Sequence, residues 1–232
     1  MFGIDPLTAG TLMVLAASGH NVCHMAKPTE INVVPVTQDV NFVTDMTLAE
    51  MQKQSTDTIN PHSFNGVSVT QGFAMGEVRI RASVSMDGVK LQGNPAACLW
   101  YKEINVDFEV NPNIYIAKEV YQDLCMRRAV TEHEMKHVNT DKRVINKFAQ
   151  HIGRTIYDEL KARGFVAGPI PLDDVQAVSD RMKRTVLQLV EREQKRFEID
   201  RMDMQALVDT KEEYDRVSAK CPRFKVTPDM LE

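Results

Sequence analysis

The chain has 232 residues, 43% of them hydrophobic and 26% charged, with a formal net charge of −4. That balance suits a globular protein able to bury a sizeable core and excludes the basic field a nucleic-acid partner would need. Short basic runs such as Lys142-Arg143 and Arg181 to Arg184 have acidic neighbours and read as solvated helix faces.

Residues 1–28 form a lead-in that ends at Pro28. Within it, Leu7 to Ala17 has the length of a signal-peptide core and is followed by small residues, but no basic residue precedes it. An export signal and a buried N-terminal element both fit. No apolar run approaches the ~18 residues of a transmembrane helix, so no membrane span is expected in the mature chain.

Glu30 to Val43 is rich in Val and Ile and reads as one or two strands, with a break or an edge position at Pro35. Leu48 to Gln54 reads as a short helix, Thr58 to Asn65 as a loop and Val67 to Thr70 as a short strand. Glu77 to Met86 alternates cleanly, which predicts a half-buried antiparallel strand closed by a tight turn at Asp87-Gly88. Leu99 to Val110 alternates again, Asn111-Pro112-Asn113 reads as a turn, and Ile114 to Val120 as a further strand.

After residue 125 the period changes. Val130, Val138, Ile145, Phe148, Ile152, Ile156 and Leu160 follow helical spacing up to Gly164. Gly168 to Pro171 reads as a linker, and a second long, densely charged helix is expected over 172–218. The predicted class is α+β: one domain over 29–221, with an antiparallel, strand-rich N-terminal half (29–120), two long helices (125–163 and 172–218), and a tail at 222–232.

The first helix carries His133-Glu134-Met135-Lys136-His137. Positions i and i+4 share a helix face, so both imidazoles can bind one zinc ion. The intervening glutamate can then move a proton to and from a zinc-bound water. Glu134 also falls within the apolar stripe, where an unpartnered carboxylate is costly. Asp141, one turn beyond His137, is expected to orient a histidine or to pair with a Lys or Arg. His151 lies ~27 Å along the helix from His133, too far to join. His20, His24 and His62 read as surface residues. A third ligand is expected from the second long helix, whose carboxylates include Glu191, Glu193, Glu198, Asp203, Asp209, Glu212 and Glu213.

The four cysteines, Cys23, Cys98, Cys125 and Cys221, include no close pair, which argues against a cysteine zinc site. Disulfides in an oxidising compartment and buried thiols both fit their spacing.

The segment NPNIYIAKEVYQDLCMRRAVTEHEMKHVNTD, with Gln205 to Thr210 and Glu213-Tyr214 further on, resembles a bacterial family of predicted secreted zinc proteases (domain of unknown function 922). The resemblance implies a zincin-like active-site helix with His133 and His137 on Zn2+, Glu134 as general base, and a peptide or protein substrate in the periplasm or outside the cell. In place of a closing histidine the chain offers carboxylates, which makes Glu213 or Asp209 the candidate third ligand. Tyr214, Arg127 and Arg128 are candidate transition-state stabilisers. The resemblance also implies a Cys98–Cys125 disulfide, leaving Cys23 with Cys221. The competing expectation is a non-catalytic envelope protein that uses the same fold for binding.

Overall fold

The computed structural model describes residues 23–54 and 69–232. The signal-like run at Leu7 to Ala17, His20, His62 and the predicted loop at Thr58 to Asn65 lie outside them. In chain order the elements are β1 (Glu30–Thr37), β2 (Asn41–Val43), α1 (Leu48–Met51), β3 (Gly72–Lys90), β4 (Ala96–Ile116), α2 (Lys118–Gln122), α3 (Leu124–Arg163), β5 (Val166–Pro171), α4 (Val175–Ala206) and α5 (Lys211–Lys220). Short 3-10 turns precede α4 and end the chain.

All the other strands pair with β4. The Thr29 hydroxyl donates to the Tyr101 carbonyl 72 residues ahead, and Asn41 faces Asn113 at the same offset of 72. A constant offset means that β1 and β2 run parallel to β4. β5 returns antiparallel along Ala96 to Trp100.

The expected architecture, an antiparallel N-terminal half followed by helices, is therefore wrong. The sheet is mostly parallel, and its last strand enters only after the first long helix. Alternation reports which face of a strand is buried and not which way its partner runs. The predicted turns at Asp87-Gly88 and Asn111 to Asn113 lie inside the continuous strands β3 and β4, and the chain reverses at 91–95 instead. Lys118 to Gln122 is helical rather than extended, and the predicted linker at Gly168 to Pro171 belongs to β5. The second long helix is two helices, broken at 207–210.

The described residues form two compact units, 23–35 with 80–108 and 148–195, and 36–54 and 69–79 with 109–147 and 196–232. In the first, Ile104, Val106, Ile152, Ile156 and Val186 are fully buried, and Phe108 meets Phe148 edge to face at 5.9 Å. The Cys23–Cys98 disulfide belongs to this unit, as does buried Glu193, held by Arg192 at 3.1 Å and His151 at 3.4 Å. His151 thus takes no part in the HExxH cluster, as its position along the helix predicts.

In the second unit, Leu48, Met51, Phe73, Ile114, Ile116, Val120, Met126, Val130, Val138 and Val217 form one apolar cluster. Each such side chain contributes ~1.5–3 kcal/mol by leaving water. The helix α3 starts at Asp123, whose carboxylate accepts from the Met126 amide, and stops at Gly164, whose φ of +103° suits a helix C-cap. The Cys125–Cys221 disulfide lies in this unit. The two disulfides are therefore Cys23–Cys98 and Cys125–Cys221, and the pairing implied by the resemblance is wrong. Position along the sequence does not reveal which Cα atoms a fold brings within disulfide reach.

Candidate metal centre

The HExxH segment lies in the second unit. His133, Glu134 and His137, on one face of α3, are buried, and their ligand atoms lie within 4.8 Å of one another. That group could hold a metal ion. The break after α4 brings a fourth group to it. Thr210 caps α5 by accepting from the Glu213 amide, and the residue before it, Asp209, is buried against the histidines. Asp209 Oδ1 lies 3.3 Å from His133 Nε2 and 3.1 Å from His137 Nε2, and it accepts from the Tyr214 hydroxyl at 3.0 Å. Its other oxygen, Oδ2, is buried with no hydrogen-bond partner.

Each histidine is held from behind. His133 Nδ1 is 3.2 Å from Glu213 Oε1, and His137 Nδ1 is 2.6 Å from Gln205 Oε1. Both contacts favour the tautomer with the proton on Nδ1 and leave Nε2 available as a ligand. These partners are themselves fixed. Lys136 and Arg216 hold Glu213, and Gln205 donates to the His137 carbonyl and to Asp141. Asp141 in turn accepts a two-pronged bond from Arg201 at 2.8 and 2.9 Å. Both roles expected of Asp141 are thus filled at once: it pairs with an arginine and, through Gln205, steadies a histidine.

The two candidate third ligands stand in different places. Asp209 faces the Nε2 atoms, whereas Glu213 stands behind His133. Tyr214 is beside the cluster, its ring 5.5 Å from that of His133. Arg127 lies over the Tyr121 ring at 4.9 Å, Arg128 is exposed on α3, and His24 is exposed as expected. Gln205, Lys136 and Arg216 were not assigned roles by sequence reasoning. One signal was present: Thr210-Lys211-Glu212-Glu213 has the spacing of a helix-start capping box, which marks the break that places Asp209.

β3 passes close above this helix at Gly72. A Cβ there would sit 2.6 Å from Val130 Cγ1, 2.9 Å from the Tyr115 carbonyl and 3.4 Å from Glu134 Oε1. Gly72→Ala is expected to cost ~1–3 kcal/mol through overpacking, read as a lowered denaturation midpoint.

The charges are strongly coupled. Burial drives the Glu134 carboxyl up to about 7 against the pull of the two histidines. Burial lowers His137, but its hydrogen bond and charge pairing with Asp209 outweigh this and carry it up to about 9. Asp209 is held well below the usual carboxylate range, since the histidine hydrogen bonds outweigh its burial. In the metal-free chain a raised folded-state pKa means a proton held more tightly than in the unfolded chain. The His137 contribution to stability is complete below its ordinary pKa of 6.5 and is lost as pH rises through about 9. Glu134 works in the same direction between 4.5 and about 7. The chelator-treated protein is therefore expected to melt several degrees lower at pH ~9.5 than at pH ~6.5. The stabilisation added by zinc should grow over the same range, because the ligands must lose protons to bind it. Thermal melts with and without zinc check both signs.

No family model, no curated protein and no solved structure matches the chain. Among the described residues, no helix is long and apolar enough to cross a membrane.

Proposed function

We propose that the chain is a zinc-dependent peptidase acting in an oxidising compartment, the bacterial cell envelope or the exterior. One observation carries the metal reading: two histidine Nε2 atoms converge on one carboxylate oxygen at 3.3 and 3.1 Å. Ligands bound to zinc at ~2.0–2.1 Å with tetrahedral angles lie ~3.3–3.4 Å apart, so each nitrogen–oxygen separation is close to that of two ligands on one ion. The buried, unpartnered Asp209 Oδ2 also fits a group made to meet a cation. The ligand set is His133, His137 and Asp209, with Glu213 and Gln205 orienting the rings. Two histidines and a carboxylate favour zinc over calcium or magnesium, which prefer all-oxygen sites.

These residues would hold a zinc ion, which would supply the positive charge that eases deprotonation of a water. Buried Glu134, on the same face of α3 as both histidines, would be the group that takes that proton and hands it to the leaving amine. Tyr214, with its hydroxyl at Asp209, is the candidate donor to the substrate oxyanion. The two disulfides suit an oxidising compartment, and the resemblance of the HExxH segment to predicted secreted zinc proteases points the same way.

The test is metal content followed by hydrolysis. Wild type is expected to hold close to one zinc per chain, and the His133→Ala/His137→Ala variant to hold none. Glu134→Gln is expected to keep the zinc and lose ~10²–10⁴-fold in peptide hydrolysis. No zinc bound after incubation would sink the reading. Zinc bound with no cleavage by wild type would leave a binding module instead.

A further inference from the structure

Within the second unit, the N-terminal end of α3 carries an exposed patch that is both cationic and apolar. Leu124, the first residue of the helix, is 52% exposed, and Tyr121 in α2 is 37% exposed. Positions 124, 127 and 128 share one helix face, so Leu124 is flanked by Arg127 and Arg128. The Arg127 guanidinium lies over the Tyr121 ring at 4.9 Å, which joins that ring to the patch. The Cys125–Cys221 bridge brings a second stretch of chain to the same end, with its Cα atoms 5.8 Å apart. Arg223 and Lys225, both exposed, follow directly. The Phe224 amide donates to the Cys221 carbonyl at 3.1 Å, a turn that keeps Arg223 near the bridge.

Around the candidate metal centre the cations are paired: Lys136, Arg201, Arg216 and Lys220 each hold a carboxylate. By contrast, Arg127, Arg128, Arg223 and Lys225 make no ion pair among the described residues. Asp123 is the one carboxylate between 121 and 128, and it accepts from the Met126 amide; between 219 and 227 there is none. Glu132, a turn further along α3, is already held by Arg216 and Lys220. In a chain of net charge −4 this is a local excess of positive charge, with an exposed leucine and tyrosine in its midst. A lipid surface takes up all of these groups together. An apolar side chain enters the boundary between headgroups and acyl chains, a tyrosine sits at headgroup level, and cations meet the phosphates.

We propose that this end of α3 rests on an anionic phospholipid membrane, with Leu124 inserted among the headgroups and Arg127, Arg128, Arg223 and Lys225 on the phosphates. The proposal is independent of whether the metal centre cleaves peptides. The 232-residue chain is floated with phosphatidylglycerol–phosphatidylcholine vesicles and with pure phosphatidylcholine vesicles. Binding to the anionic vesicles is expected to be at least ~10-fold tighter and to fall as salt is added. Arg128→Glu/Arg223→Glu is expected to weaken it at least ~30-fold, since each cation near an anionic surface contributes a factor of ~5. Leu124→Asn is expected to weaken it ~3–10-fold with no change of charge. Lys142→Glu/Lys147→Glu makes the same charge change more than ~20 Å further along α3, and is expected to bind within ~2-fold of wild type. Unchanged thermal midpoints show that the variants are folded. Equal binding to neutral vesicles, no binding to either kind, or equal losses in the two charge variants overturns the patch. Soluble polyglutamate bound as tightly as the anionic vesicles, with Leu124→Asn without effect, overturns the lipid assignment in favour of an acidic macromolecule.

Discussion

Asp209→Ala is expected to weaken zinc binding at least ~1,000-fold, about 4 kcal/mol, whereas Glu213→Ala should cost only ~10–100-fold. The asymmetry follows from where the two carboxylates stand. Asp209 presents one oxygen to both Nε2 atoms, so its removal takes away the proposed anionic ligand and leaves the two histidines with Glu134, the carboxylate assigned to the proton and not to the metal. A two-ligand site holds a divalent cation poorly. Glu213 touches only the Nδ1 side of His133, so its loss frees a ring to rotate without removing a ligand. Asp209→Asn separates charge from shape: it keeps an oxygen in place but removes the anion, and is expected to fall between the two. Competition with a chromophoric zinc chelator measures all three. If Glu213→Ala loses the metal and Asp209→Ala does not, the roles assigned to them are reversed and the α4–α5 break is not what completes the site.

Much of the helical half was legible because helices announce themselves over a long window. Seven apolar residues between Val130 and Leu160 keep one phase, Glu134 falls inside that phase, and the structure buries it. Histidines four residues apart carry their own geometry, so the two candidate ligands and the candidate base could be read from five residues. The sheet was less legible, because strand order and direction depend on partners far along the chain. The contact between Asn41 and Asn113 is 72 residues long and leaves no local trace. The candidate third ligand was half legible. Asp209 lies in the break between α4 and α5 and Glu213 in the first turn of α5, and one uninterrupted helix would not have contained that break. Thr210, the residue that makes the break, is a local signal that helical propensity on both sides conceals. The disulfide pairing was least legible, since it needs the completed fold.

Removing the Cys125–Cys221 bridge, as Cys125→Ser/Cys221→Ser, is expected to cost ~4–5 kcal/mol of stability, the chain-entropy value for so long a loop. The bridge closes 96 residues and joins the start of α3 to the residue after α5. Those are the two elements that flank the candidate site: His133 and His137 lie on α3, and Asp209 directly precedes the cap of α5. Without the bridge, Asp209 and α5 are still held by the contacts of Asp209 with the histidines and Tyr214, by Glu213 on Lys136 and His133, by buried Val217, and, nearest the lost bridge, by the salt bridges from Arg216 and Lys220 to Glu132. Exposed ion pairs of that kind contribute little in salt. Two losses should therefore appear together in the variant: a lowered denaturation midpoint, and zinc affinity reduced ~10-fold or more as the α5 end samples displaced positions. The companion variant Cys23→Ser/Cys98→Ser opens a loop of 75 residues that ends on none of the candidate ligands' elements. It is expected to lose a similar amount of stability while its zinc affinity stays within ~2-fold of wild type. Equal effects of the two variants on zinc affinity would show that the metal site responds to global stability alone, and that the Cys125–Cys221 bridge has no particular hold on Asp209.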